Sequence, residues 1–227
     1  MNHNIIWKVV LSLICMTLIS VFNTSFAGAG SPSNRERKWE AFISTNYVDS
    51  TSVDFSGGAK ADINGDLGWI FGIGYNFNEK IALDFEMGWN SVSYTGTRVS
   101  DTGVAEQFGG RLDTSITRFN LTYNFMAQRF TPFITANVGW AWIDSNIPSG
   151  PPSSGCWWDP WYGYICSSYQ PTYTSTDFAY GTSLGLRYDV TDGLFLRGSA
   201  GKQCIDISSA SGTPDFTNYR LDIGFMF

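Results

Sequence analysis

Acidic side chains at alternate positions are the residues of this 227-residue sequence best suited to chemistry. Asp84 and Glu86 lie two positions apart, so an extended strand would place both carboxylates on one face, where they could act as acid and base. Ion pairing is the simpler interpretation, because Arg118 and other arginines occupy equivalent positions in neighbouring segments. The only histidine is His3. Spacings typical of zinc or phosphate sites are absent, so we expect no catalytic residue, metal or cofactor.

The segments that carry these charges alternate strictly between apolar and polar residues. In the last nine residues, Tyr219, Phe225 and Phe227 share one face and Asp222 lies on the other. Seven further segments show the same period of two; they span 39–47, 67–77, 81–89, 118–125, 134–142, 177–189 and 194–200. The sequence therefore predicts an all-β fold with eight antiparallel strands in residues 39–227.

Connections between the predicted strands alternate in length. Those near Asn78, Gln128 and Asp192 are tight, whereas the other four are long and polar. Both ends of the predicted strand region fall on the side of the tight turns. Short turns on one side, long loops on the other and an even number of strands are typical of an up-and-down transmembrane β-barrel.

Aromatic residues fall at two heights along the predicted strands. Near the long loops lie Tyr47, Trp69, Trp89, Trp140, Trp142, Tyr180 and Tyr219. Near the short turns lie Trp39, Tyr75, Phe77, Tyr123, Phe125, Tyr188 and Phe227. Aliphatic residues lie between the two tiers, an arrangement that two membrane interfaces select for. A secreted soluble barrel is the alternative, and it would require the same aromatic face to point inward.

With these features the chain resembles the small outer-membrane barrels of the OmpA and opacity-protein kind, including the group described as outer membrane protein beta-barrel domain. The resemblance covers residues 39–227. It implies a place in the bacterial outer membrane, with lipid and lipopolysaccharide as partners. It also implies that Tyr219, Phe225 and Phe227 form a signal read by the barrel-assembly machinery. Enzymes of this membrane generally carry a catalytic histidine, so the resemblance favours a non-enzymatic protein.

The face opposite the lipid is expected to hold an ionic network. An unpaired charge inside a narrow barrel is costly, and adjacent strands offer Glu86 with Arg118 and Arg197 with Asp222. The predicted network comprises Glu40, Asp84, Glu86, Arg118, Arg187, Arg197, Arg220 and Asp222, with Asp189 on the same face. Eight strands leave an interior that side chains just fill, so we expect a plug rather than an open pore. Inward-facing glycines leave room for water or a narrow path.

The connection at residues 144–176 is the most unusual of the long loops. Cys156 and Cys166 bracket a short segment of an exported chain, which favours a disulfide and leaves Cys204 over. Five large aromatics lie inside the ring: Trp157, Trp158, Trp161, Tyr162 and Tyr164. Exposed aromatics are costly unless they pack or bind. The loop is therefore either a surface site for an extracellular ligand or a lid on the barrel rim.

The N-terminus has the features of an export signal. Residues 1–27 combine Lys8, an apolar run and the small Ala27 before a cleavage point. Residues 28–38 would then be a short periplasmic segment. The formal charge of −6 becomes −7 when Lys8 is removed, and this acidic balance argues against nucleic acid as a partner.

Two functions of different classes remain open. The favoured one is a structural or surface-interaction role through the long loops. The alternative is a small porin or an OmpW-like channel for small hydrophobic molecules. That alternative requires apolar side chains in the lumen, for which the alternation offers only Ile70 and Ile116.

Overall fold

The computed structural model describes residues 30–55, 60–99, 105–207 and 210–227. The strands of these residues are β1 (Trp39–Val48), β2 (Thr51–Asp54), β3 (Lys60–Ile63), β4 (Asp66–Asn76), β5 (Ile81–Val99), β6 (Ala105–Asn124), β7 (Phe130–Pro148), β8 (Ser153–Asp159), β9 (Gly163–Tyr169), β10 (Thr172–Asp189), β11 (Leu194–Ile205) and β12 (Asp215–Met226). Among the described residues, no helix is both long and apolar enough to cross a membrane. The predicted signal, residues 1–27, lies outside them.

Eight of the strands close into a barrel in which every neighbour is antiparallel. The order around the barrel is β1, β4, β5, β6, β7, β10, β11 and β12. Strand β12 returns to β1 and closes the ring, with Glu40 opposite Met226 and Val48 opposite Asn218. Closure leaves no barrel strand with an unpaired edge. The predicted eight-stranded antiparallel barrel is therefore confirmed.

The apolar face of the barrel points outward. On β6, Leu121 is 54% exposed, whereas the next residue, Thr122, is 2% exposed. The aromatic residues near the long loops meet across strands, with Trp69 opposite Trp89 and Tyr47 opposite Tyr219. A soluble sheet turns its apolar face inward to remove it from water, so this arrangement is the reverse of the soluble-barrel alternative.

The two ends of the barrel differ as predicted, but one predicted loop is a strand pair. Residues 90–117 were expected to be a long polar connection, yet β5 and β6 continue through most of them, paired as far as Val99 opposite Ala105. The alternation persists there with its polarity reversed. Val92 and Tyr94 are each 6% exposed, while Ser93 and its outward neighbours face solvent. A search for outward apolar residues cannot recognise such strands.

Two small hairpins occupy the first and the third of the long connections. In the first, β2 pairs with β3, and β3 continues the barrel wall beside β5, with Ile63 opposite Tyr94. In the third, β8 and β9 form a separate two-stranded sheet in which Cys156 lies opposite Cys166. These two cysteines form the predicted disulfide, and Cys204 is free.

Candidate functional site: an apolar chamber above an ionic plug

The N-terminal segment closes the end of the barrel at the short turns. Ser33 donates its backbone N–H to Ala127, and Arg129 donates to Ser31. Arg35 is completely buried. Its Nε donates to Ser33 Oγ at 2.9 Å and lies 3.6 Å from a carboxylate oxygen of Asp189. Alternation does not predict that this arginine enters the lumen, because Arg35 precedes the first alternating segment.

The middle of the lumen holds a first group of charges around Glu40 and Arg197. Glu40 is fully buried and accepts from Arg187 at 2.9 Å and from Arg197 at 3.2 Å. Arg197 also contacts Asp84 at 3.3 Å and Asp222 at 2.9 Å. One guanidinium therefore joins carboxylates from three different strands, β1, β5 and β12.

A second group centres on Glu86. Its two oxygens accept from Arg118 Nε and from Arg220 Nη1, both at 2.6 Å. Arg220 also pairs with Asp222 and so joins the two groups. On its other side, Arg118 Nη1 donates to Gln203 Oε1 at 2.7 Å. All eight residues of the predicted network thus lie in one connected cluster.

Arg35 also lies 3.5 Å from Glu79, which is partly exposed at the short-turn end. Without Glu79, the buried part of the cluster is balanced in charge. Its five arginines are Arg35, Arg118, Arg187, Arg197 and Arg220, and its five carboxylates are Glu40, Asp84, Glu86, Asp189 and Asp222. Buried charges are tolerated when each is paired and hydrogen-bonded. Each of these ten side chains lies within 3.6 Å of at least one partner of opposite charge.

Two phenylalanines that sequence reasoning missed complete the plug. Phe195 is fully buried beneath Arg187, whose guanidinium carbon lies 4.3 Å from the ring centroid. Phe42 lies 4.5 Å from the guanidinium carbon of Arg197. Both rings receive cation–π contacts within the range that stabilises such pairs. Their inward position follows from the alternation, but apolar residues were searched for on the opposite face.

The inward-facing glycines make room for these rings. A β-carbon on Gly72 would overlap the Phe42 ring, and one on Gly224 would overlap the Phe195 ring. The space that the glycines leave is therefore filled by aromatic rings at these two levels.

Above the plug, toward the long loops, the lumen widens into an apolar chamber. A cavity of about 500 Å³ lies inside the extended parts of β5, β6 and β7 and the β2–β3 hairpin. Its apolar lining includes Val53, Ile63, Val92, Ile143, Ile147 and Phe216. Lys60 and Tyr173, both exposed, also line it, so the chamber reaches the surface. The volume is in the range of small-molecule sites.

A family model described as outer membrane protein beta-barrel domain matches residues 18–227. The chain belongs to this family. Comparison with curated proteins gives no match. Among solved structures, the outer-membrane protein OprG of Pseudomonas aeruginosa is 13% identical, with 86% of this chain and 98% of that chain covered and a TM-score of 0.55. Neisserial surface protein A is 14% identical, with 83% and 95% covered and a TM-score of 0.46. At such identities the likeness to OprG shows the fold alone.

As an outer-membrane barrel, the protein presents its outward apolar face to lipid. Tyr219, Phe225 and Phe227 of the C-terminal strand lie on this face and are 51%, 63% and 68% exposed. The charges of the same strand, Arg220 and Asp222, point into the lumen network. Each side of β12 therefore meets a different environment.

The disulfide hairpin of this barrel stands away from the wall. Trp161 and Tyr162 at its tip are 85% and 83% exposed, and the other three predicted loop aromatics, Trp157, Trp158 and Tyr164, are at least half exposed. Asp159 Oδ1 accepts the backbone N–H groups of Trp161 and Tyr162 at 2.8 and 2.9 Å. These contacts order the tip, and the exposure differs from what a lid packed on the rim would show.

Proposed function

We propose that this outer-membrane barrel is a non-enzymatic binding protein for small apolar molecules, which enter the chamber from the long-loop side. The observation that carries the proposal is an apolar cavity of about 500 Å³ inside a membrane barrel whose outer wall at that height is polar. An apolar lining that reaches the surface would retain solvent-exposed area unless a ligand covers it. We place the long loops, and therefore the mouth of the chamber, outside the cell.

The ionic plug sets a limit on this function. Buried charges and the rings of Phe42 and Phe195 occupy the barrel below the chamber. We therefore propose a binding chamber rather than an open pore. The proposed function is therefore closer to the OmpW-like channel for small hydrophobic molecules than to a purely structural role.

The experiment is photolabelling of the protein in lipid nanodiscs with an alkyl diazirine, followed by mass-spectrometric mapping of the labelled residues. We expect labels at Val92 and Ile143 in addition to lipid-facing residues such as Leu121. A Val92→Phe variant, which fills the chamber, should lose most of the chamber labels. The matched Ser93→Phe variant changes the outward-facing neighbour and should retain them. Labels confined to lipid-facing residues would exclude the proposed chamber function.

We propose a second role for the disulfide hairpin, as a surface contact site. Its five exposed aromatics offer ring faces for stacking, and the sequence contains no Lys or Arg between Arg129 and Arg187. The hairpin would therefore recognise a partner through apolar and hydrogen-bonding groups and not through Lys or Arg side chains of its own. Binding of labelled cells to host-cell surfaces and glycans should fall for Trp161→Ala and remain for Phe178→Ala on the barrel wall. Equal binding by both variants would remove this role.

We propose, finally, that β12 is read by the barrel-assembly machinery through Tyr219, Phe225 and Phe227. Phe227→Ala should lower the amount of heat-modifiable barrel in the outer membrane several-fold. Phe77→Ala removes an equally outward ring at the same end of the barrel and serves as the control. If both variants assemble equally, the terminal ring acts only as one of the lipid-facing aromatics.

A further inference from the structure

A small cavity lies between the apolar chamber and the ionic plug. Its volume is about 80 Å³, and its mainly apolar lining contains the polar side chains of Asn46, Asn90 and Gln203 together with Arg118 of the plug. Asn90, Thr114, Ile205 and Phe216 line both this cavity and the chamber above it. The small cavity is therefore the floor of the chamber.

Several hydrogen-bonding atoms on this floor have no partner among the residues that the structure describes. Gln203 is 4% exposed, and its Nε2 is buried without a hydrogen bond, although its Oε1 accepts from Arg118. Both amide atoms of Asn90 and the Oδ1 of Asn46 are likewise buried and unpaired. Buried polar atoms in folded proteins are normally paired. Three side chains with unpaired atoms around one cavity therefore indicate a polar occupant.

The floor offers donors and acceptors but no free charge. Arg118 is the charged residue that lines it, and its guanidinium is already shared between Glu86 and Gln203. The side chains left for an occupant are neutral amides. A carboxylate or an ammonium group would enter this site without a counter-charge, which is costly at a buried position. A hydroxyl, ester or amide would find both donor and acceptor partners.

The two cavities differ in size, so a ligand that fills both has one small part and one large part. Water takes about 30 Å³ of liquid volume, so the floor cavity of about 80 Å³ holds a group of only a few heavy atoms. The chamber of about 500 Å³ above it is lined mainly by apolar side chains. The shape fits a molecule with one small polar group at the end of a larger apolar body.

We propose that the ligand of the chamber is a neutral amphiphile, whose single hydrogen-bonding head group lies among Asn46, Asn90 and Gln203 and whose apolar body fills the space above. This inference rests on the proposed binding function and specifies its ligand class. The head group replaces the hydrogen bonds that the three amides lack. A pure hydrocarbon would leave them unpaired.

The test is displacement of the alkyl diazirine from Val92 and Ile143 by competitors of one chain length: an alkane, a primary alcohol, a carboxylate and an amine. After correction for partition into the nanodisc lipid, the alcohol should displace the label at about one-tenth of the concentration that each of the other three requires. Asn90→Leu should remove this preference. The Asn90 amide makes no hydrogen bond in the free protein, so its replacement breaks none.

Two controls separate the possible outcomes. Asn137→Leu changes another inward amide of the barrel that does not line the floor, and should retain the preference for alcohol. Heat modifiability on a gel reports that each variant is folded. If the diazirine labels the chamber but alkane and alcohol displace it equally, water occupies the floor and the head-group inference is wrong while the binding function stands. If the diazirine never labels the chamber, both are wrong.

Discussion

The lower and upper halves of the lumen are built from the same strands with opposite chemistry. Strand β5 contributes Asp84 and Glu86 to the plug and Val92 and Tyr94 to the chamber. In the lower half the outside is apolar and the inside is charged, whereas in the upper half the outside is polar and the inside is apolar. The change occurs within a few residues of Trp89, at the upper tier of aromatics.

The difference follows from what lies outside the wall. Where lipid surrounds the barrel, apolar side chains are placed outward and the interior is left to groups that satisfy one another. Beyond the interface, water surrounds the wall, and the hydrophobic effect turns apolar residues inward as in a soluble protein. One β-barrel can therefore turn its apolar residues outward where lipid surrounds it and inward where water surrounds it.

The largest expected effect comes from breaking the plug at Arg197. Arg197→Met removes the one ion pair described for Asp84 and two further carboxylate contacts. Leaving buried charges without a partner costs about 3–5 kcal/mol. The urea concentration at which the heat-modifiable band disappears should therefore fall sharply. Arg111→Met, at an exposed residue of the rim, should leave it unchanged, and adding Asp84→Leu to Arg197→Met should recover part of the loss.

A loss of stability of similar size is expected when an aromatic ring of the plug is removed. Phe195→Ala removes a fully buried ring that contacts Arg187 and Arg197. Truncation of a buried Phe destabilises by about 3–5 kcal/mol when the site cannot collapse, and the barrel wall around Phe195 is held by the hydrogen bonds of its neighbours. The same unfolding measurement checks this. A loss below that of an outward Phe225→Ala variant would mean that the ring does not fill the plug.

Truncation of a side chain in the chamber should lower the free energy of unfolding less than truncation of one in the plug. Ile143→Ala shortens a side chain that already borders a cavity, so it loses fewer packing contacts than a core isoleucine does. We expect about 1–2 kcal/mol, below the usual 2–5 kcal/mol for such truncations. If the loss equals that of Phe195→Ala, the chamber is packed as tightly as the plug and no space for a ligand exists.

The smallest effect concerns the rim, where acid should loosen the upper wall slightly. Asp113 lies on β6 beyond the aromatic tier, outside the membrane. Hydrogen bonds from Ser91 and Asn146 hold the pKa of Asp113 below its ordinary value. The resulting stability is present above the unfolded pKa of about 3.9 and is lost as pH falls through the lower folded pKa. The protection factor of the Asn146 side-chain amide, which corrects for the slower intrinsic exchange in acid, should therefore fall at acid pH. Asp113→Asn should flatten this dependence.

Much of the barrel could be predicted because its strands obey a period of two within the membrane. The outward Leu121 beside the inward Thr122 follows from alternation alone, as does the pairing of Arg118 with Glu86 on adjacent strands. The chamber was missed because residues 90–117 keep the period but reverse the polarity. The unpaired amides of Asn90 and Gln203 were missed because both residues lie just beyond the predicted strands 81–89 and 194–200, in segments that were expected to be loops.

Patterns in the sequence predicted the eight strands of the barrel, the side of the wall on which their residues lie within the membrane, the difference between the two ends and the disulfide. These are local properties, fixed by alternation, turn residues and spacing along the chain. The charges that meet across the lumen, such as Arg187 and Glu40 at a separation of 147 residues, are seen only in the tertiary structure. The same is true of the entry of Arg35 into the plug and of the cavity that apolar side chains from distant strands enclose. Alternation assigns a side chain to a face of its own strand, whereas partners and cavities depend on how closure brings the strands together.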